Sequence, residues 1–119
     1  MPIEHSRVGD VLVVRISGRM EVPDLPEIGN ALAGLLAYRA EKAVIDLSGV
    51  SYISSQGVGL LARECRAQRA KGGDLRLCSL PDVVRQVVDL TGVSKQIKIF
   101  PDLQSAIDSY ATEPPSGSG

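Results

Sequence analysis

Apolar residues recur along this chain in two alternating rhythms: short, nearly continuous runs, and stripes at spacings of three and four. The first kind predicts strands over residues 3–6 and 11–17, joined by a tight turn at Gly9-Asp10, and the nearly unbroken Val11, Leu12, Val13, Val14 and Ile16 suits an interior strand. Gly18-Arg19-Met20-Glu21 then reads as a loop. Leu25, Ile28, Leu32, Leu35 and Leu36 trace a helix over 25–38, with Asp24 and Glu27 as a capping-box-like start. A strand over 42–47 ends at Ser48-Gly49. A helix over 55–70 follows, opened by Ser54-Ser55-Gln56-Gly57 and striped by Val58, Leu61, Ala62 and Cys65.

The same alternation continues to the end. Lys71-Gly72-Gly73 closes that helix, and Leu75, Leu77 and Cys78 give a strand. Ser79 starts a cap for a helix along Val84, Val87, Val88 and Thr91, which stops at Gly92, a glycine C-cap. A short strand over 95–100 precedes a helix capped by Asp102 and striped by Leu103, Ala106, Ile107 and Tyr110. The order ββαβαβαβα predicts an α/β fold in one domain over 1–110. Its mostly parallel sheet would have four to five strands, the first antiparallel at an edge, with about four helices. Residues 111–119, rich in Pro, Gly and Ser, are expected to be disordered.

Composition narrows the function. Thirteen Lys and Arg face 14 Asp and Glu, and aromatics are 3% of the chain, so there is neither a basic field nor a stacking platform for nucleic acid. No apolar run approaches the roughly 20 residues of a membrane span, so no membrane insertion and a cytoplasmic location are expected. Cys65 and Cys78 form no CxxC pair and do not cluster with His5, so they read as buried thiols, and no metal site or cofactor is expected.

Chemistry concentrates at Ser54-Ser55. One serine can cap the helix, worth about 1 kcal/mol, while the free N–H groups and the positive helix end tolerate a phosphate on its neighbour. Gly59, Ala62, Arg63 and Arg66 share or flank the face that Ser55 begins, and a mid-helix glycine costs about 1 kcal/mol relative to alanine. Gly59 therefore answers either to close core packing or to the close approach of a partner. Gly57-Val58-Gly59-Leu60-Leu61-Ala62 fits G-x-G-x-x-A, but nine residues separate Leu47 from Gly57, which argues against a dinucleotide turn. A serine hydrolase elbow would need glycine where Ile53 stands. No catalytic residue is expected, and the chain reads as a non-enzyme.

The stretch from Asp46-Leu47-Ser48 to Ser54-Ser55-Gln56-Gly57, with Gly18-Arg19-Met20-Glu21 and Leu90-Thr91-Gly92-Val93, resembles the STAS domain of bacterial anti-sigma factor antagonists. The resemblance spans residues 3–110. It implies a binding module that sequesters an anti-sigma factor with serine kinase activity, is phosphorylated by it, and is restored by a serine phosphatase, the partner supplying ATP and metal. The matching acceptor is Ser55, with Ser54 as second choice. Ser54 stands where the family often has Asp, and Gln56 where it has Ser or Thr. Glu21, Ser54, Ser55, Gln56, Gly57, Gly59, Ala62 and Arg63 are the expected partner-contact residues. The alternative is a STAS scaffold or accessory subunit of a signalling or membrane-transport complex that is never phosphorylated.

Overall fold

The computed structural model describes residues 3–115. Strands β1 (Ile3–Val8) and β2 (Val11–Met20) form an antiparallel hairpin in which Val8 pairs with Val11. Gly9, at φ +62°, occupies the first position of the two-residue turn, where a side chain would be strained. Helix α1 (Leu25–Leu36), strand β3 (Lys42–Ile53), helix α2 (Ser55–Ala70), strand β4 (Asp74–Cys78), helix α3 (Asp82–Thr91), strand β5 (Ile99–Phe100) and helix α4 (Leu103–Thr112) follow. The five strands lie in sequence order across the sheet, and every pairing after the first is parallel.

Alternation along the strands divides the core between the two faces. Leu12, Val14, Ile16, Ala43, Ile45, Leu47, Leu75 and Leu77 point to the side covered by α1, α2 and α3, where Ile28, Leu32, Val58, Leu61, Val84 and Val88 close over them. Val11, Val13, Val44 and Cys78 point to the other side, under Ala106 and Tyr110 of α4. The strand order never reverses. The fold thus has no switch point of the kind at which open α/β sheets bind nucleotides.

Several boundaries differ from those expected of the sequence. β2 runs through Gly18-Arg19-Met20 and β3 runs through Ser48-Gly49, because the two strands stay paired to Met20–Ile53 across irregularities in register. Gly49 permits this: a Cβ there would come within 2.9 Å of Ser17 Cβ. The β2–β3 pair thereby extends beyond β4, which meets β3 only from Lys42 to Asp46. Asp24 makes no side-chain cap, since the chain enters α1 through a 3₁₀ turn at Val22–Asp24. Ser79 is no cap either. It sits at φ +61° and Pro81 opens α3. α1 ends at Leu36 rather than 38, and the final strand shrinks to two residues behind a 3₁₀ turn at Val93–Lys95. Gly92, at φ +73°, and Asp102, whose carboxylate accepts the Ser105 N–H at 2.7 Å, end α3 and cap α4 as expected. α4 continues to Thr112, two residues into the stretch expected to be disordered, and residues 116–119 of that stretch lie outside the described residues.

Candidate functional site

The β2–β3 extension delivers the chain to the mouth of α2. Ser54 is the N-cap, with extended backbone at φ −87°, ψ 166°, and its Oγ accepts the Gly57 N–H at 3.1 Å. The same Oγ donates to the Met20 carbonyl at 3.2 Å, and the Ser54 N–H donates to that carbonyl at 3.0 Å. The fold thus uses both the donor and the acceptor of the Ser54 hydroxyl. Ser55 is the first helical residue and is exposed; its hydroxyl meets only the Gln56 Oε1 at 3.3 Å, on the same exposed turn. No acidic residue lies in the first turn of α2, so its positive end is not neutralised from within the helix.

The two glycines of this turn have different causes. Gly57 is buried, and a Cβ there would lie 2.9 Å from Ile53 Cγ1 and 3.0 Å from the Met20 carbonyl oxygen. It lets the helix seat on the end of β2 and offers no surface, so it leaves the set of contact candidates. Gly59 is exposed, and a Cβ there would meet nothing within 4 Å. Core packing is therefore not its reason.

Ala62 is 7% exposed and floors a groove beside α2. The groove, about 170 Å³, runs from Ser55 past Gly59 to Arg66, and its other wall is Thr91, Val93 and Gln96 from the end of α3 and the turn after it. Gln56 and Arg63 are exposed, Arg63 on the flank of α2 that faces Gly29 of α1. This second wall was missed in the sequence, where Gly92 marks a helix stop and Leu90-Thr91-Gly92-Val93 a likeness to the family, not a surface. The three-residue spacing of Val88, Thr91 and the glycine stop could have flagged it, because a helix that ends there leaves its last turn beside α2.

Glu21 stands at the end of β2, half-buried, and is gripped by Arg19 through two hydrogen bonds of 2.7 and 2.8 Å. That grip holds its carboxyl below the usual carboxylate range. Arg19 also lies 4.8 Å over the Tyr52 ring. Asp46 is buried, bound by Arg15 at 3.1 Å and by the Ser48 N–H at 2.9 Å, as suits a structural carboxylate.

His5 lies exposed on the edge strand, opposite Val14. Both cysteines are free and buried, and burial pushes the thiols up, Cys78 to about 11. Among the described residues no His, Cys, Asp and Glu group could hold a metal ion, and no helix is long and apolar enough to cross a membrane.

The chain is similar to several known proteins. The anti-sigma F factor antagonist of Paenibacillus polymyxa is 24% identical over 106 residues, covering 88% of this chain and 89% of the relative. The crystal structure of an anti-sigma factor antagonist from Mycobacterium paratuberculosis superposes with a TM-score of 0.82 at 25% identity, covering 90% of this chain and 91% of that one. The unphosphorylated form of the anti-sigma factor antagonist SpoIIAA shares the fold, with a TM-score of 0.76 at 20% identity over 92% of this chain and 96% of that one. The STAS domain model matches residues 3–106, and the chain belongs to the STAS domain family.

Proposed function

We propose that this chain is a non-enzymatic, cytoplasmic binding module that captures an anti-sigma factor with serine kinase activity, and that phosphorylation of Ser55 by that partner releases it until a serine phosphatase resets the surface. The observation that carries this reading is the division of labour at the mouth of α2. Ser54 is committed to the cap and to Met20, whereas the Ser55 hydroxyl is exposed and its nearest partner is another exposed side chain. A phosphate on Ser55 would add about −1.5 to −2 charges without disturbing a bond on which the fold depends. Relatives named as anti-sigma factor antagonists over nearly their whole length support the same partner class. The docking surface then comprises Ser55, Gln56, Gly59 and Arg63, with Ala62 as floor and Glu21 at the margin.

An unpaired charge or a like-charge clash in such a surface costs several kcal/mol, and each 1.4 kcal/mol is tenfold in affinity. Ser55→Asp is therefore expected to weaken binding to the purified partner by about a hundredfold or more, with Ser55→Ala close to wild type, both measured by titration calorimetry. Mass spectrometry after incubation with the partner and ATP should place one phosphate on Ser55. Phosphate found on Ser54, or equal affinity for the Asp variant, overturns the switch. Recovery of transport or signalling subunits whatever stands at position 55 would indicate the scaffold role instead.

A further inference from the structure

The groove beside α2 is one-sided in charge. Among the described residues lining it, Arg66 carries the one formal charge. Its Nη1 reaches only the Gln96 Oε1, at 3.5 Å, which is a neutral and marginal partner. Arg63, on the α1 flank of the same helix and outside the groove, has its closest carboxylate, Glu64, at 3.9 Å. Lys95 is exposed beside Gln96 and has no carboxylate within 4 Å among the described residues. Leu90, 87% exposed, precedes Thr91 on the opposite wall. The lower half of the groove is thus apolar at its floor and positive at its end, with no anion of the fold's own to answer it.

Ser55, Gly59, Ala62 and Arg66 fall at i, i+4, i+7 and i+11, one straight stripe along α2. At 1.5 Å per residue the stripe is about 16 Å long. Its first three side chains are small, so another helix axis can come close at this place, where interaxial distance follows the size of the contacting residues. We infer that the groove receives a helix of the partner protein, laid along α2, bearing a carboxylate that pairs with Arg66 three turns from the Ser55 contact. This rests on the reading of the Ser55 surface as the docking face, and it adds the chemistry by which partners are told apart. The two ends act separately, because about 16 Å exceeds the screening length of roughly 8 Å at physiological salt. A charge at Ser55 switches binding; the cation at Arg66 selects the partner.

The test uses the full chain and the purified kinase-type anti-sigma factor of the same organism, titrated at low and high salt. Arg66→Glu is expected to weaken binding about tenfold or more and to flatten the salt dependence, whereas Arg66→Lys is expected to retain most of the affinity. Arg85→Glu, an exposed arginine on α3 outside the groove, should leave the affinity within about twofold of wild type. The losses from Ser55→Asp and Arg66→Glu should multiply, as for distant independent sites. Wild-type affinity for Arg66→Glu, with Ser55→Asp still impaired, overturns the acidic-helix inference and leaves the Ser55 switch standing. Absence of binding by the wild-type chain overturns both. Thermal melts of each variant separate these outcomes from loss of fold.

Discussion

The two ends of α2 are built on opposite principles. At its C-terminal end the fully buried Gln68 accepts the Glu41 N–H at 2.8 Å and donates to the Leu36 carbonyl at 2.9 Å, lacing α1, β3 and α2 together. Lys71 donates to the Leu36 and Ala37 carbonyls that α1 leaves free at its end. Arg7 and Arg39 both grip Glu41, and Asp74, just beyond, binds Arg69 at 2.8 Å and the fully buried Arg76 at 3.1 Å. At the N-terminal end the fold takes Ser54 and leaves Ser55, Gln56 and Gly59 in water. Polar groups can therefore mean opposite things on one helix. Where each is satisfied internally, it is architecture; where one stands unclaimed at a helix mouth, it is free for chemistry.

The sharpest way to break this comparison is at Asp74. Asp74→Asn removes the carboxylate that balances buried Arg76 and should cost about 3–5 kcal/mol of stability in urea denaturation. The same variant has a pH test. Burial opposes ionisation of Asp74, but the hydrogen bonds from Arg69 and Arg76 outweigh it and hold its carboxyl below the ordinary value. The stability it contributes is therefore complete above about pH 4, the unfolded carboxylate's pKa, and is lost as pH falls through the lower folded value. The gap between wild type and Asp74→Asn should narrow on acidification, and a constant gap would refute the assignment.

Gln68→Leu comes next. It strands the Glu41 N–H, while the Leu36 carbonyl keeps Lys71, and should cost about 1–3 kcal/mol, read as a lower denaturation midpoint with partner affinity per folded molecule unchanged. The smallest effects belong to the mouth of the helix. Ser54→Ala should cost about 1 kcal/mol for the lost cap, and Ser55→Ala less than about 0.5 kcal/mol. Equal costs at the two serines in thermal melts would erase the distinction between them.

How much of this was legible beforehand follows from the range of the forces involved. The succession of elements along the chain, the stripes of α1, α2 and α3, the Gly92 stop and the Asp102 cap depend on neighbours within four residues, so periodicity and cap chemistry reveal them. Ser48-Gly49 and Gly18 looked like strand breakers because their tolerance comes from across the sheet, where Gly49 makes room for Ser17. The role of Asp24 was misjudged for a similar reason: a capping box presumes direct entry into the helix, and here a 3₁₀ turn intervenes. At the site, a serine pair at the helix start was readable, but which serine caps was not, nor were the burial of Gly57 and the bareness of Gly59. The first depends on Ile53 and on Met20, more than thirty residues away in the chain, and the second on there being no neighbour within 4 Å of Gly59.

The Met20 carbonyl receives both hydrogens that Ser54 can offer, and Gly57 rests against it. The tip of α2 is consequently pinned to the last residue of β2. If Ser55 is modified as proposed, the change reaches a visitor as charge and bulk on a platform held from β2, and its tempo belongs to whatever writes and erases it.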